Sequence, residues 1–125
     1  MSGRRPGPAG ERGSGTVLAL AVLGATCALL VGALAVGSAV LASHRARAAA
    51  DLAALGAAVR LQAGDTAGAC PRARAVAGAN GAALSGCRPA ADLSVVVEVE
   101  VPAPFLSRVV GHMAATARAR AGPST

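Results

Sequence analysis

The stretch GSGTVLALAVLGATCALLVGALAVGSAVLASHRARAAADLAALGAAV, Gly13 to Val59, decides how this chain is built. From Thr16 to Ser43 it runs 28 residues without a charge. As a helix rising 1.5 Å per residue, such a run reaches roughly 42 Å, more than the ~30 Å hydrocarbon core of a bilayer. A secretory signal needs an apolar region of only about 7–15 residues, so the length points to a retained membrane anchor. A second reading stays open. Val40-Leu41-Ala42 is of an acceptable type for signal peptidase, and cleavage after Ala42 would release an exported soluble binding module. Cys27, in LGATC, follows Thr26 rather than the small residue of a lipobox and reads as a small apolar side chain in a bilayer helix.

Within the run, Gly24, Ala28 and Gly32 stand at i, i+4 and i+8 and form a candidate helix-packing face. A chain with 34 alanines and 16 glycines also produces such ribbons by chance. Orientation by the positive-inside rule is nearly balanced, with Arg4, Arg5 and Arg12 before the run and Arg45, Arg47 and Arg60 after it. The short N-terminal tail and the later cysteines favour a cytoplasmic N-terminus. The expected organisation is a basic cytoplasmic tail over 1–15, a single transmembrane helix over 16–43, and a small extracytoplasmic domain over 44–125 at the cell membrane.

Past Ser43 nothing stops the helix. His44 to Gln62 lacks proline and is rich in Ala, Leu and Arg, so one helix from about Thr16 to Gln62 is expected. Leu52, Leu55 and Val59 form a narrow apolar stripe, with Asp51 semi-buried on that face and Arg47 as its partner. AGDTAG, residues 63–68, ends the helix, and a short second helix follows from about Pro71 to Asn80, closed by Gly81. DLSVVVEVEV is the clearest strand, with Val95, Val97, Val99 and Val101 on one face and Glu98 and Glu100 on the other. Pro102 and Pro104 end it. AATARARAG then alternates small residues with Thr116, Arg118 and Arg120, and antiparallel pairing sets Arg118 and Arg120 across from Glu100 and Glu98. The fold class is α+β: a long anchor helix, a short second helix and a small antiparallel hairpin or sheet, in a pilin-like layout.

Cys70 and Cys87 flank the second helix. Outside the cytoplasm a disulfide is the natural reading; two free thiols or half of a metal site are the alternatives. Zinc finds poor support, since the only histidines are His44 and His112 and there is no second cysteine pair. The net charge of +6 is carried by scattered arginines and membrane flanks, and the one aromatic residue, Phe105, offers no base-stacking platform, which argues against nucleic acid. Glu98 and Glu100 share a strand face, but no apolar pocket or third group separates their acidities, and no nucleophile or phosphate-loop motif is present. No catalytic, metal or cofactor site is expected.

The order of ERGSGTV, the apolar run and RARAAADLAALGAA resembles the TadE/TadG-like proteins of bacterial Flp-type pilus and secretion systems. CPRARAVAGANGAALSGC, the Val/Glu strand and the closing ARARAGP are most similar to a short actinobacterial subgroup named for its neighbourhood near a helicase and secretion genes. The resemblance implies a non-enzymatic, membrane-anchored minor pilin or assembly component. Its implied partners are the lipid bilayer, an inner-membrane platform, a secretion ATPase and other pilin-like proteins. In pilin-like members a peptidase cuts after a glycine, and a glutamate five residues on aids entry into the fibre. The matching cut falls between Gly13 and Ser14, where Leu18 takes the place of that glutamate.

Overall fold

The structure, a computed structural model, describes residues 3, 9–103, 107–108, 111 and 113–124. Pro104, Phe105, His112, Arg4 and Arg5 lie outside the described residues. The elements are α1 (Ala9–Gln62), α2 (Thr66–Ala79), β1 (Ala83–Pro89), β2 (Val95–Pro102) and β3 (Ala114–Ala121), an α+β arrangement. Two compact units result, Met1–Ala35 and Val36–Thr125.

The first unit holds the N-terminal part of α1. The helix begins at Ala9 rather than near Thr16. Pro8 is the last proline before Pro71, so no residue between them breaks the hydrogen-bond ladder. Every described side chain from Gly13 to Leu34 is exposed. The Thr26 hydroxyl donates to the Val22 carbonyl at 2.8 Å, which satisfies it without water.

The second unit has its own core. Along α1, Ala42, Ala46, Ala49, Ala50, Ala53, Ala54, Ala57, Ala58 and Leu61 are buried. Their three- and four-residue steps trace one face of a helix. They join Ala69, Ala73 and Ala77 of α2 and Val95, Val97, Val99 and Val101 of β2 in one hydrophobic cluster. The expected stripe is therefore on the wrong side. Leu52, Leu55 and Val59 remain 46%, 57% and 59% exposed, and Asp51 is exposed beside them. The reason is steric: alanine lets neighbouring backbones approach more closely than leucine does. At Gly56 the space is tighter still, since a Cβ there would meet Val76 Cγ2 at 3.2 Å.

The α1–α2 turn is a Schellman motif. Gly64, at φ +82°, is the left-handed residue; its amide donates to the Leu61 carbonyl at 3.0 Å and the Asp65 amide to the Arg60 carbonyl at 2.9 Å. Asp65 then caps α2, accepting the Gly68 amide at 2.8 Å. This cap starts α2 at Thr66, five residues before the expected Pro71, so the proline sits inside the helix. The far end repeats the device, with Gly81 at φ +73° and the Ala82 amide on the Ala77 carbonyl at 2.9 Å.

The sheet is antiparallel with order β1-β2-β3. Its apolar face is the valine row of β2 with Ala119 of β3. β1 makes the expected hairpin or sheet a three-stranded one, from a segment to which the sequence reading assigns no strand. It pairs with β2 through Cys87↔Val97 and carries an irregularity between Leu84 and Gly86.

Candidate interaction surfaces

Among the described residues, four surfaces carry chemistry that bears on function. The first is α1 itself. The helical segment Gly13–Gln62 is long and apolar enough to cross a membrane by length and composition. Gly24, Ala28 and Gly32 are exposed on it, and nothing lies within 4 Å of a Cβ built at either glycine. Gly13 and Ser14, the possible processing pair, are helical and exposed, as is the free Cys27.

The second is a groove in the second unit, lined by Leu52, Leu55, Gly56, Val59, Arg60, Arg72 and Val76. The large aliphatic side chains that the Ala-built core excludes are displayed here. Arg60 is held at one end by Asp65 at 3.4 Å. Sequence reasoning found the stripe but not its direction, because the leucine and alanine faces of α1 are both apolar.

The third is the join between α2 and β1. Cys70 and Cys87 are disulfide-bonded with Cα atoms 5.9 Å apart, tying the second helix to an edge strand.

The fourth is the polar face of the sheet, where Ser85, Glu98, Glu100, Thr116 and Arg118 line a shallow depression. Here the register departs from expectation by two residues. Glu98 stands opposite Arg118, Glu100 opposite Thr116, and Arg120 opposite Val96. The Arg118 guanidinium donates through Nε to Glu98 Oε1 at 2.6 Å and also through its terminal nitrogen, while Arg88 approaches the same oxygen at 3.8 Å. The hydrogen bonds from Arg118, and then its charge, hold the Glu98 carboxyl below its ordinary range. Arg120 instead reaches Asp92 at 2.9 Å and the Ser94 hydroxyl at 3.0 Å. The Ser94 hydroxyl and amide both donate to Asp92, and these bonds, more than the Arg120 charge, hold Asp92 low. Leu93, between them, adopts φ 60°, unusual for a side chain branched at Cγ. Both carboxylates are engaged as ion-pair partners. Among the described residues no three His, Cys, Asp or Glu side chains gather as metal ligands would.

An apolar helix that emerges directly into an Ala-rich, Arg-bearing head is the feature that a family comparison can test. Residues 13–60 match the family model of putative Flp pilus-assembly TadE/G-like proteins. The TadE/G-like match covers most of α1, the groove residues Leu52, Leu55 and Val59 included, and stops before α2, the disulfide and the sheet. No curated protein and no solved structure matches the chain.

Proposed function

We propose that this chain is a membrane-anchored component of a Tad-type pilus or secretion apparatus, a minor pilin or assembly factor closest to the short actinobacterial TadE-like proteins. The observation that carries the reading is the TadE/G-like match over residues 13–60, the segment that holds both the apolar helix and its junction with the head. In this reading residues 1–15 are cytoplasmic, 16–43 span the bilayer and 44–125 form an extracytoplasmic head, where a Cys70–Cys87 disulfide is chemically at home. The role is structural. The head offers exposed aliphatic side chains for subunit contact, and the anchor offers Gly24, Ala28 and Gly32 to a neighbouring bilayer helix. The partners are the bilayer and other pilin-like or Tad-type assembly proteins. Leu18 supplies no carboxylate, so assembly here does not use the intramembrane charge pairing available to pilins with that glutamate.

Membrane fractionation with intact-mass measurement tests the anchor. A membrane-bound species beginning at Met1, Ser2 or Ser14 is expected; a soluble species beginning at Ser43 would establish the released-module alternative. Deleting the chain should abolish fibre or secretion assembly in its host, with rescue by the full chain but not by residues 44–125 exported alone.

A further inference from the structure

The end of α2 holds the chain's one asparagine, Asn80, and a glycine follows it. Asparagine is a labile residue, most so before glycine: the next backbone nitrogen closes a cyclic imide on the side-chain amide, and glycine carries no side chain to hinder the approach. Asn80 and Gly81 are both exposed, so water and base reach them. A Cβ built at Gly81 would meet nothing within 4 Å, so no neighbouring group shields that side.

The fold holds the reacting atoms apart. Asn80 caps α2 at φ −100° and ψ 15°. Ring closure needs the Gly81 nitrogen to eclipse Asn80 Cβ, which calls for a strongly negative ψ; at 15° that nitrogen lies on the opposite side of the Cα–C bond. Rotation about ψ, one of the two soft backbone angles, is what brings the atoms together. Hydrogen bonds oppose it. The Asn80 side chain donates through Nδ2 to the Val76 carbonyl at 2.8 Å, and the Gly81 amide donates to the Gly78 carbonyl at 3.1 Å. The Ala82 amide on the Ala77 carbonyl at 2.9 Å fixes Gly81 at φ +73°. Ala77 and Ala82, on either side of the pair, are buried, and the pair lies inside the loop closed by Cys70 and Cys87. Turning ψ therefore disturbs the packing of the head.

We propose that Asn80–Gly81 is a fold-gated modification site, at which deamidation is suppressed by the α2 cap and released when the head loosens. The Gly81 nitrogen attacks Asn80 Cγ. A new C–N bond forms, the Cγ–Nδ2 bond breaks, and the amide proton leaves with Nδ2 as ammonia. Water then opens the imide at either carbonyl, to aspartate or to isoaspartate, whose backbone runs through Cγ. Either product loses the donor to Val76 and sets a carboxylate beside the carbonyls that end α2, where the helix dipole disfavours negative charge. A head that has once opened is thereby marked, and its cap re-forms less well.

The sequence has only two side-chain amides, Asn80 and Gln62, so the mass gained when nitrogen is exchanged for oxygen is readily assigned by fragmentation. The full oxidised chain in micelles, the same chain unfolded in urea, and a peptide of residues 75–86 are incubated in one mildly alkaline buffer, and isoaspartate is counted by enzymatic methylation. The native chain should convert at least about tenfold more slowly than the peptide, and the unfolded chain should match the peptide. A native rate equal to the peptide's would overturn the gate; an unfolded chain and peptide that keep their asparagine would overturn the site. Reduction should raise the native rate. An unchanged rate where reduction does accelerate exchange of the β2 amides would overturn the coupling to the head. Asn80→Asp, which carries the product's charge without the reaction, should speed exchange of the Gly81 and Ala82 amides; no change there would overturn the marking.

Discussion

Reducing the Cys70–Cys87 disulfide should loosen the head about as much as truncating a large buried side chain such as Leu61. The bond closes a loop of 18 residues, given its sequence separation of 17. In loop-entropy accounting an 18-residue closure removes about 11 cal/mol/K from the unfolded chain, or about 3.2 kcal/mol at 25 °C. The largest fully buried side chains are Val95, Val97 and Val99. A buried methylene contributes about 0.8 kcal/mol, so the disulfide matches roughly four of them. At 1.4 kcal/mol per decade, the folded-to-unfolded ratio should fall about two hundredfold. The assay is hydrogen exchange of the full chain in micelles or vesicles, with and without reductant. Amides of β2, residues 95–101, should exchange about two hundredfold faster once reduced, and Cys70→Ala/Cys87→Ala should reproduce the effect without reductant. Amides at residues 16–35, whose helix does not depend on that loop, serve as the internal reference. A change of less than about threefold at β2 in both experiments would refute the reasoning, because the head would then owe its stability to its alanine and valine core alone.

Further outcomes follow from the packing and the charges. Ala53→Leu, at a fully buried position, should cost about 1–3 kcal/mol in thermal unfolding of the head, whereas Leu55→Ala, in the groove, should change stability little. Exchanging the charges of Glu98 and Arg118 together should recover stability lost by either reversal alone; exchanging Glu98 with Arg120 should not, because Arg120 faces Asp92. Glu98 and Asp92 are both held below their ordinary carboxyl range, so the unfolded chain binds more protons than the folded one as pH falls through that range. Their contribution is therefore present above about pH 5 and is lost on acidification through about pH 4 and below; denaturant midpoints against pH should show this, with a weaker slope in Glu98→Gln.

Much of the architecture was readable from residue order. An unbroken helix followed from the absence of proline between Pro8 and Pro71, and β2 from the alternation of Val95, Val97, Val99 and Val101. β1 was not readable. ALSGCRP has no alternating β-branched residues, and it becomes a strand by pairing with β2. The first turn of α2 was hidden because Pro71 suggested a start, whereas the Asp65 cap outweighed the hydrogen bond that the proline forfeits. The buried face of α1 was hidden for a different reason: alanine lies on one side and leucine on another, so apolar character distinguishes them poorly and only close approach selects the smaller. The two-residue offset between Glu98 and its arginine was not readable, because a strand that alternates small and charged residues keeps the same faces when it slips by two. Of the candidate surfaces, the small-residue face of α1 and the two cysteines were visible as sequence spacings; the groove required the fold.

The methyl-lined interior of the head has a thermal consequence. Alanine has no rotamers to freeze on burial, so the interior forms with little side-chain entropy loss, and it also withdraws little apolar area from water. The heat-capacity step on melting scales with that area, so the head should have a shallow stability curve, changing gradually across growth temperatures rather than peaking sharply. Such a domain melts over a broad interval, and binding to a neighbouring subunit would shift that interval upward by mass action.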